Sequence, residues 1–129
     1  MTNKLYLYGG ETRAVMQTMS VFTLRVIVPP ALRNQLIKSI GALLEPTRVQ
    51  PGCLSCRLYC GDYDNWNAIT LIGEWSSRRG LERYIHSDVR KTLVAAMDLS
   101  TEAPEIRIDT ILRNEGLVVI AGADNTEGS

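Results

Sequence analysis

Three features of the sequence predict an α+β fold. Four runs read as strands, at 20–28, 53–61, 66–75 and 104–112. Two runs carry apolar residues at helical spacing, one after the first strand and one after the third. The resulting order is βαββαβ, the split pattern of a four-stranded antiparallel sheet with its helices on one face.

The first strand is expected over Ser20–Val28. Phe22, Leu24, Val26 and Val28 fall on one face; Val21, Thr23, Arg25 and Ile27 fall on the other. Both faces are partly apolar, with one arginine, which predicts cover on both sides. Pro29-Pro30 breaks the strand, and a proline suits the first helical position because its missing N–H needs no partner there. Leu32, Leu36, Ile40, Leu43 and Leu44 then form a helical stripe, expected to end at Glu45-Pro46 because the residue before proline is pushed out of the α region.

Pro51-Gly52 opens the second strand, in which Cys56, Leu58 and Cys60 alternate with Ser55, Arg57 and Tyr59. Asp62-Tyr63-Asp64-Asn65 is turn chemistry, and 66–75 returns as the hairpin partner. Gly73 inside that strand suggests a bulge or a close approach by another group. Ser76 or Ser77 caps the next helix, whose apolar side is Leu81 and Ile85; Ser87 is expected to cap a further one carrying Val89, Leu93, Ala96 and Met97. Pro104 leads into the last strand, where Ile106, Ile108, Thr110 and Leu112 share a face.

This is the ferredoxin-like arrangement, assigned to residues 20–113. Residues 1–19 read as an N-terminal extension: a short β-like run stopped by Gly9-Gly10, then a weak helix over Glu11–Met19. Residues 114–129 read as a C-terminal extension, whose Leu117–Ala121 run is apolar enough to require pairing with an edge strand, alongside Leu5–Tyr8 as one option. Val21, Ile27 and Ile111 on the helix-free face are too apolar for full solvation, which predicts a homodimer packed sheet to sheet.

The bulk properties narrow the function classes. At 129 residues, 45% of them hydrophobic, the chain is long enough for one domain with its own core. Fourteen basic and fourteen acidic residues cancel, so nothing marks a nucleic-acid or membrane partner. No apolar run approaches a membrane span, the N-terminus lacks a secretory signal, and the expected location is the cytoplasm. Cys53, Cys56 and Cys60 lack the ligands to complete a zinc site and lie in a strand rather than at a helix start, so they are expected to be structural thiols, with no metal site.

Three local features, taken in order, resemble the antibiotic biosynthesis monooxygenase family. They are Pro51-Gly52-Cys53 opening strand two, Glu74-Trp75-Ser76 closing strand three, and Leu81 followed by an aromatic and His cluster and Ser87. The resemblance spans residues 21–112 and implies a dimeric α+β barrel with a hydrophobic pocket between sheet and helices. It implies cofactor-independent oxygenation of a small aromatic or quinol-type substrate, with a non-catalytic, ligand-binding or stress-related dimer as the alternative. The pattern also departs from the family. Gly73 stands where many members have glutamate, and Tyr84 falls at the usual helix histidine, leaving His86 two residues on. Two residues on a helix rotate a side chain by about 200°. Leu24 and Val94 occupy positions where the haem-degrading branch has an asparagine and an iron-ligating histidine, which sets haem degradation aside.

Such chemistry needs an aromatic substrate held in place, a group to accept its proton, and exclusion of water. His86, the only histidine, is the candidate proton acceptor, histidine being the side chain that ordinarily titrates near neutrality. Tyr84 is the candidate hydrogen-bond donor to a substrate oxygen, and Trp75, Phe22 and Leu24 are the candidate substrate-binding residues. Core packing is the competing reading for Trp75 and Tyr84, and helix capping for His86. Arg25 is assigned to an interface ion pair with Glu105 or Asp109.

Overall fold

The computed structural model describes residues 4–7, 14–114 and 117–125, with side chains over 17–112. Its strands are β1 (Lys4–Leu7), β2 (Ala14–Ile27), β3 (Cys53–Cys60), β4 (Ala68–Trp75), β5 (Glu105–Asn114) and β6 (Leu117–Asn125). Its helices are α1 (Arg33–Gly41), α2 (Leu44–Arg48), α3 (Arg78–Ile85) and α4 (Val89–Asp98), with a 3-10 turn at Pro30–Leu32 before α1. The predicted four-stranded antiparallel sheet is the centre, in the order β3-β4-β2-β5, and the connectivity is ferredoxin-like. β6 extends the β5 edge, as an apolar run in search of a partner should. β1 pairs with the first residues of β2 rather than with β6.

Pairing register fixes the two faces. Phe22 sits opposite Gly73 and Ile108, and Leu24 opposite Leu71 and Ile106. With Val26, Cys56, Ile69 and Trp75 they form the buried floor on which the helices rest. The helices contribute Leu36 and Ile40 from α1, Leu81 from α3, and Val89, Leu93 and Ala96 from α4. The other sheet face carries Val21, Thr23, Arg25, Arg57, Tyr59, Ile72, Glu74 and Arg107. No helix of the described residues is long and apolar enough to cross a membrane.

Four local expectations change. The weak helix over Glu11–Met19 is instead strand from Ala14 onward, because Gln17, Thr18 and Met19 pair with Arg113, Leu112 and Ile111. β2 therefore runs unbroken through Ser20. Glu45-Pro46 does not end the helical region. α1 stops at Gly41 and the chain re-enters helix at Leu44, which puts Pro46 in the first turn of α2, where a backbone N–H has no intrahelical partner to lose. Ser87 does not cap α4. Its Oγ turns back and donates to the Tyr84 carbonyl at 2.6 Å, an acceptor at the end of α3 that also takes the Ser87 N–H at 3.0 Å. Arg25 takes its close partner within the chain from a residue other than Glu105 or Asp109. Its Nε lies 2.8 Å from Asp62 Oδ2 in the β3–β4 turn, and Arg107 bonds Asp109 instead, at 2.9 Å.

The turn before β3 follows its residues closely. The Cys53 N–H donates to the Gln50 carbonyl at 3.0 Å, with Pro51 and Gly52 at the centre. Gly52 has φ +88°, the left-handed conformation this turn type demands of its third residue. Opposite Glu74 and Trp75 the β3 register slips between Cys53 and Ser55, leaving Leu54 as the extra, exposed residue of a bulge. Ser77 caps α3, its Oγ accepting from the Gly80 N–H at 3.1 Å.

Candidate functional site

α3 divides two cavities. Gly80, Arg83, Tyr84 and Ser87, spaced to share one side of the helix, line a cavity of about 590 Å³ that reaches α2 and the start of α4. Arg78, Glu82, Ile85 and His86 line the other, a cleft of about 400 Å³ between α3, α4 and strands β2 and β5. No residue is common to both.

The candidate site residues are split accordingly. Phe22 and Leu24 form part of the floor of the cleft, with Ile106, Ile108, Leu93 and Met97, and His86 stands at its mouth. Trp75 and Tyr84 belong to the other cavity. The expectation that Trp75, Tyr84 and His86 would line one pocket is therefore corrected. The two-residue offset between Tyr84 and His86 puts them on opposite sides of α3, and it is His86 that shares a cavity with the floor of β2.

Trp75 is 1% exposed and stacks on Tyr84, ring centroids 4.9 Å apart and planes inclined at 35°. Gly73 leaves room for this indole: a Cβ there would lie 3.1 Å from Trp75 Nε1, so the close approach suspected from the sequence comes from a side chain two residues on. The Tyr84 hydroxyl shares a 2.7 Å hydrogen bond with the hydroxyl of buried Thr47 on α2. Burial pushes the phenol's pKa up and the Thr47 bond opposes that, leaving Tyr84 a neutral phenol tied to α2. Sequence reasoning missed Thr47; Pro46 had marked its segment as a helix end.

The mouth of the cleft is polar. His86 terminates α3, its backbone N–H donating to the Glu82 carbonyl at 3.1 Å, and its ring is exposed. Arg90, the second residue of α4, brings Nη1 to 3.2 Å from His86 Nδ1. Across the mouth Arg78 and Glu82 stand 3.9 Å apart as an i,i+4 pair. Arg90 was not singled out from the sequence; its spacing of four from His86, across a break between helices, gave no periodic signal. The cleft thus combines an apolar floor with hydrogen-bonding side chains from α3 and α4, a layout that orients a small amphipathic ligand.

The cysteines lie apart from both groups. Cys56 is buried under the helices, and burial raises its pKa to about 11; Cys53 is half-buried and shifted the same way, while Cys60 is exposed. None has an activating environment.

No protein-family model matches the sequence, and no curated protein matches it by sequence search. Solved structures do match. Rv0793 from Mycobacterium tuberculosis superposes with a TM-score of 0.61 at 24% identity, over 70% of this chain and 91% of that one. A protein from Caulobacter crescentus CB15, named as a candidate antibiotic biosynthesis monooxygenase, gives 0.61 at 23% identity, over 71% and 88%. A further structure named antibiotic biosynthesis monooxygenase gives 0.58 at 19% identity, over 75% and 97%. The chain has the ferredoxin-like α+β fold of the antibiotic biosynthesis monooxygenase structures.

Proposed function

We propose that the chain is a cofactor-independent monooxygenase that acts on a small phenolic or quinol-type aromatic in the cleft between β2, β5, α3 and α4. The observation carrying this reading is the juxtaposition of an apolar floor, Phe22, Leu24, Ile106 and Ile108, with the only histidine at its mouth. The aromatic body lies on the floor, which keeps water from the ring, and the phenolic oxygen faces His86. The imidazole accepts the phenolic proton, and the resulting anion is electron-rich enough to reduce O₂. For a hydroquinone the reaction balances without an external reductant: hydroquinone and O₂ give hydroxyquinone and water, the substrate supplying all four electrons. Trp75 and Tyr84 act from the far side of α3, holding the helix that carries His86. Residues 20–113 form the functional unit, and the flanking segments extend its sheet.

The reading is supported by the fold shared with monooxygenase-named structures. It is tested by oxygen uptake with a panel of substituted hydroquinones. Uptake above the autoxidation rate that falls at least about tenfold in His86→Ala supports it; no enzymatic uptake across the panel refutes it.

One observation favours a second reading, a non-catalytic binder of small aromatics. The His86 nitrogen nearest Arg90 is already engaged at 3.2 Å, and a base must offer a free lone pair. Recovery of an unaltered aromatic after prolonged aerobic incubation supports that reading.

The helix-free sheet face supports a homodimer in either case. Val21, Ile72 and Ile111 are half-buried in the single chain and Tyr59 is 45% exposed, leaving apolar surface for a second copy to cover. Light scattering at twice the chain mass, reverting to one chain mass in Ile72→Glu, is the expected result.

A further inference from the structure

At the mouth of the cleft one cation, Arg90, has no carboxylate within ion-pair distance among the described residues. Arg90 lines the cleft, and among the described residues its hydrogen-bond partner is the His86 ring rather than a carboxylate. Glu82, the acid of the same cleft, stands 3.9 Å from Arg78. A guanidinium only donates, so the 3.2 Å contact requires an acceptor at His86 Nδ1. For a neutral ring that assigns the proton to Nε2. A positive charge thus rests on the lone pair of a neutral imidazole, a weaker partner than an ionised oxygen, in a cleft with an apolar floor.

We propose that Arg90 is the anion-recognising residue of the cleft, and that its ligands are aromatic acids: a planar apolar body bearing one ionised oxygen group, carboxylate or phenolate. This rests on the reading that the cleft is the ligand site and adds the charge of the ligand to it. The ring lies on Phe22, Leu24 and Ile108. The ionised oxygen replaces the imidazole as Arg90's acceptor, and His86 is released at Nδ1. Occupancy by an acid is therefore also what frees the lone pair that proton transfer needs. Neutral aromatics of the same shape keep the floor contacts but make no charge-assisted bond to Arg90.

The test uses the full-length chain and a matched pair of probes, 2-naphthoate and 2-naphthamide, titrated by calorimetry at neutral pH. The acid binds about tenfold tighter than the amide, the preference of a charge-assisted over a neutral contact. Arg90→Gln abolishes that ratio by weakening the acid and leaving the amide unchanged, Arg90→Lys keeps part of it, and added salt reduces it in the wild type. Arg90 is exposed, and these variants keep the fold; an unchanged melting temperature verifies this. Equal affinities for the two probes, or a ratio that survives Arg90→Gln, overturn the assignment while the cleft stands. Failure of both probes to bind overturns the cleft as well.

Discussion

Thr47 and Tyr84 share a 2.7 Å hydrogen bond between hydroxyls on helices α2 and α3, with Trp75 stacked against the tyrosine ring. One bond therefore joins the segment after α1 to the helix that separates the two cavities. Because Thr47 is only 3% exposed, removing its partner strands a buried hydroxyl. Tyr84→Phe is expected to cost about 1–2 kcal/mol in urea unfolding. Thr47→Val combined with Tyr84→Phe costs less than the sum of the single changes, since no hydroxyl is then left unpaired. Additive costs would show that the bond is not made.

Gly73 and Trp75 give a steric prediction. Alanine at position 73 places its methyl 3.1 Å from the indole nitrogen, deep in the core beside Phe22 and Cys56. Gly73→Ala should destabilise by about 1–3 kcal/mol, the usual range for overpacking, and lower the anisotropy of the Trp75 signal in near-UV circular dichroism. A neutral or stabilising effect would mean that the indole lies elsewhere.

The three thiols differ in access. Cys60 is exposed, whereas Cys56 is 2% exposed with a pKa near 11, raised mainly by burial. Under native conditions at mildly alkaline pH, iodoacetamide should alkylate Cys60 first and Cys56 only on unfolding, as read by peptide mass spectrometry. Equal labelling rates at the two positions would contradict the packing of β3 under the helices.

Asp62 sets an acid-side stability limit. Its carboxylate accepts from Arg25 and from the Asp64 and Asn65 backbone N–H groups, which hold its pKa below the ordinary 3.8. A folded-state pKa below the unfolded value contributes stability that is full above 3.8 and disappears as pH falls through the lowered value. Melting temperature should therefore decline on the acid side, and Asp62→Asn should flatten that decline while lowering stability at neutral pH. An unchanged acid limb in the variant would remove Asp62 from the account.

The sequence revealed the architecture because it resides in local patterns. The Phe22, Leu24, Val26 alternation defines the floor, and Leu93 with Ala96 and Met97 defines the helix that covers it. It was silent where tertiary pairing overrides local preference. Val15, Met16 and Met19 have helical spacing, yet the segment is strand because β1 offers a ladder to its first residues and β5 to those from Gln17 on. Pro46 looks like a terminator, but in a first turn it costs nothing. The site was half legible. His86, Phe22 and Leu24 stand out by residue type, and they line one cleft. That Trp75 and Tyr84 lie behind α3, and that Arg90 reaches His86 across a helix break, depends on where the two helices end, which periodicity does not encode.

The central claim, that the cleft of β2, β5, α3 and α4 takes the aromatic ligand, is tested most directly by methyl-resolved NMR titration with a hydroquinone under anaerobic conditions. The expected result is saturable shifts at Leu24, Leu93, Ile106 and Ile108, which line the cleft, with Leu43 and Val89 of the other cavity unmoved. Shifts confined to Leu43 and Val89 would place the ligand beside Trp75 and Tyr84 and contradict it.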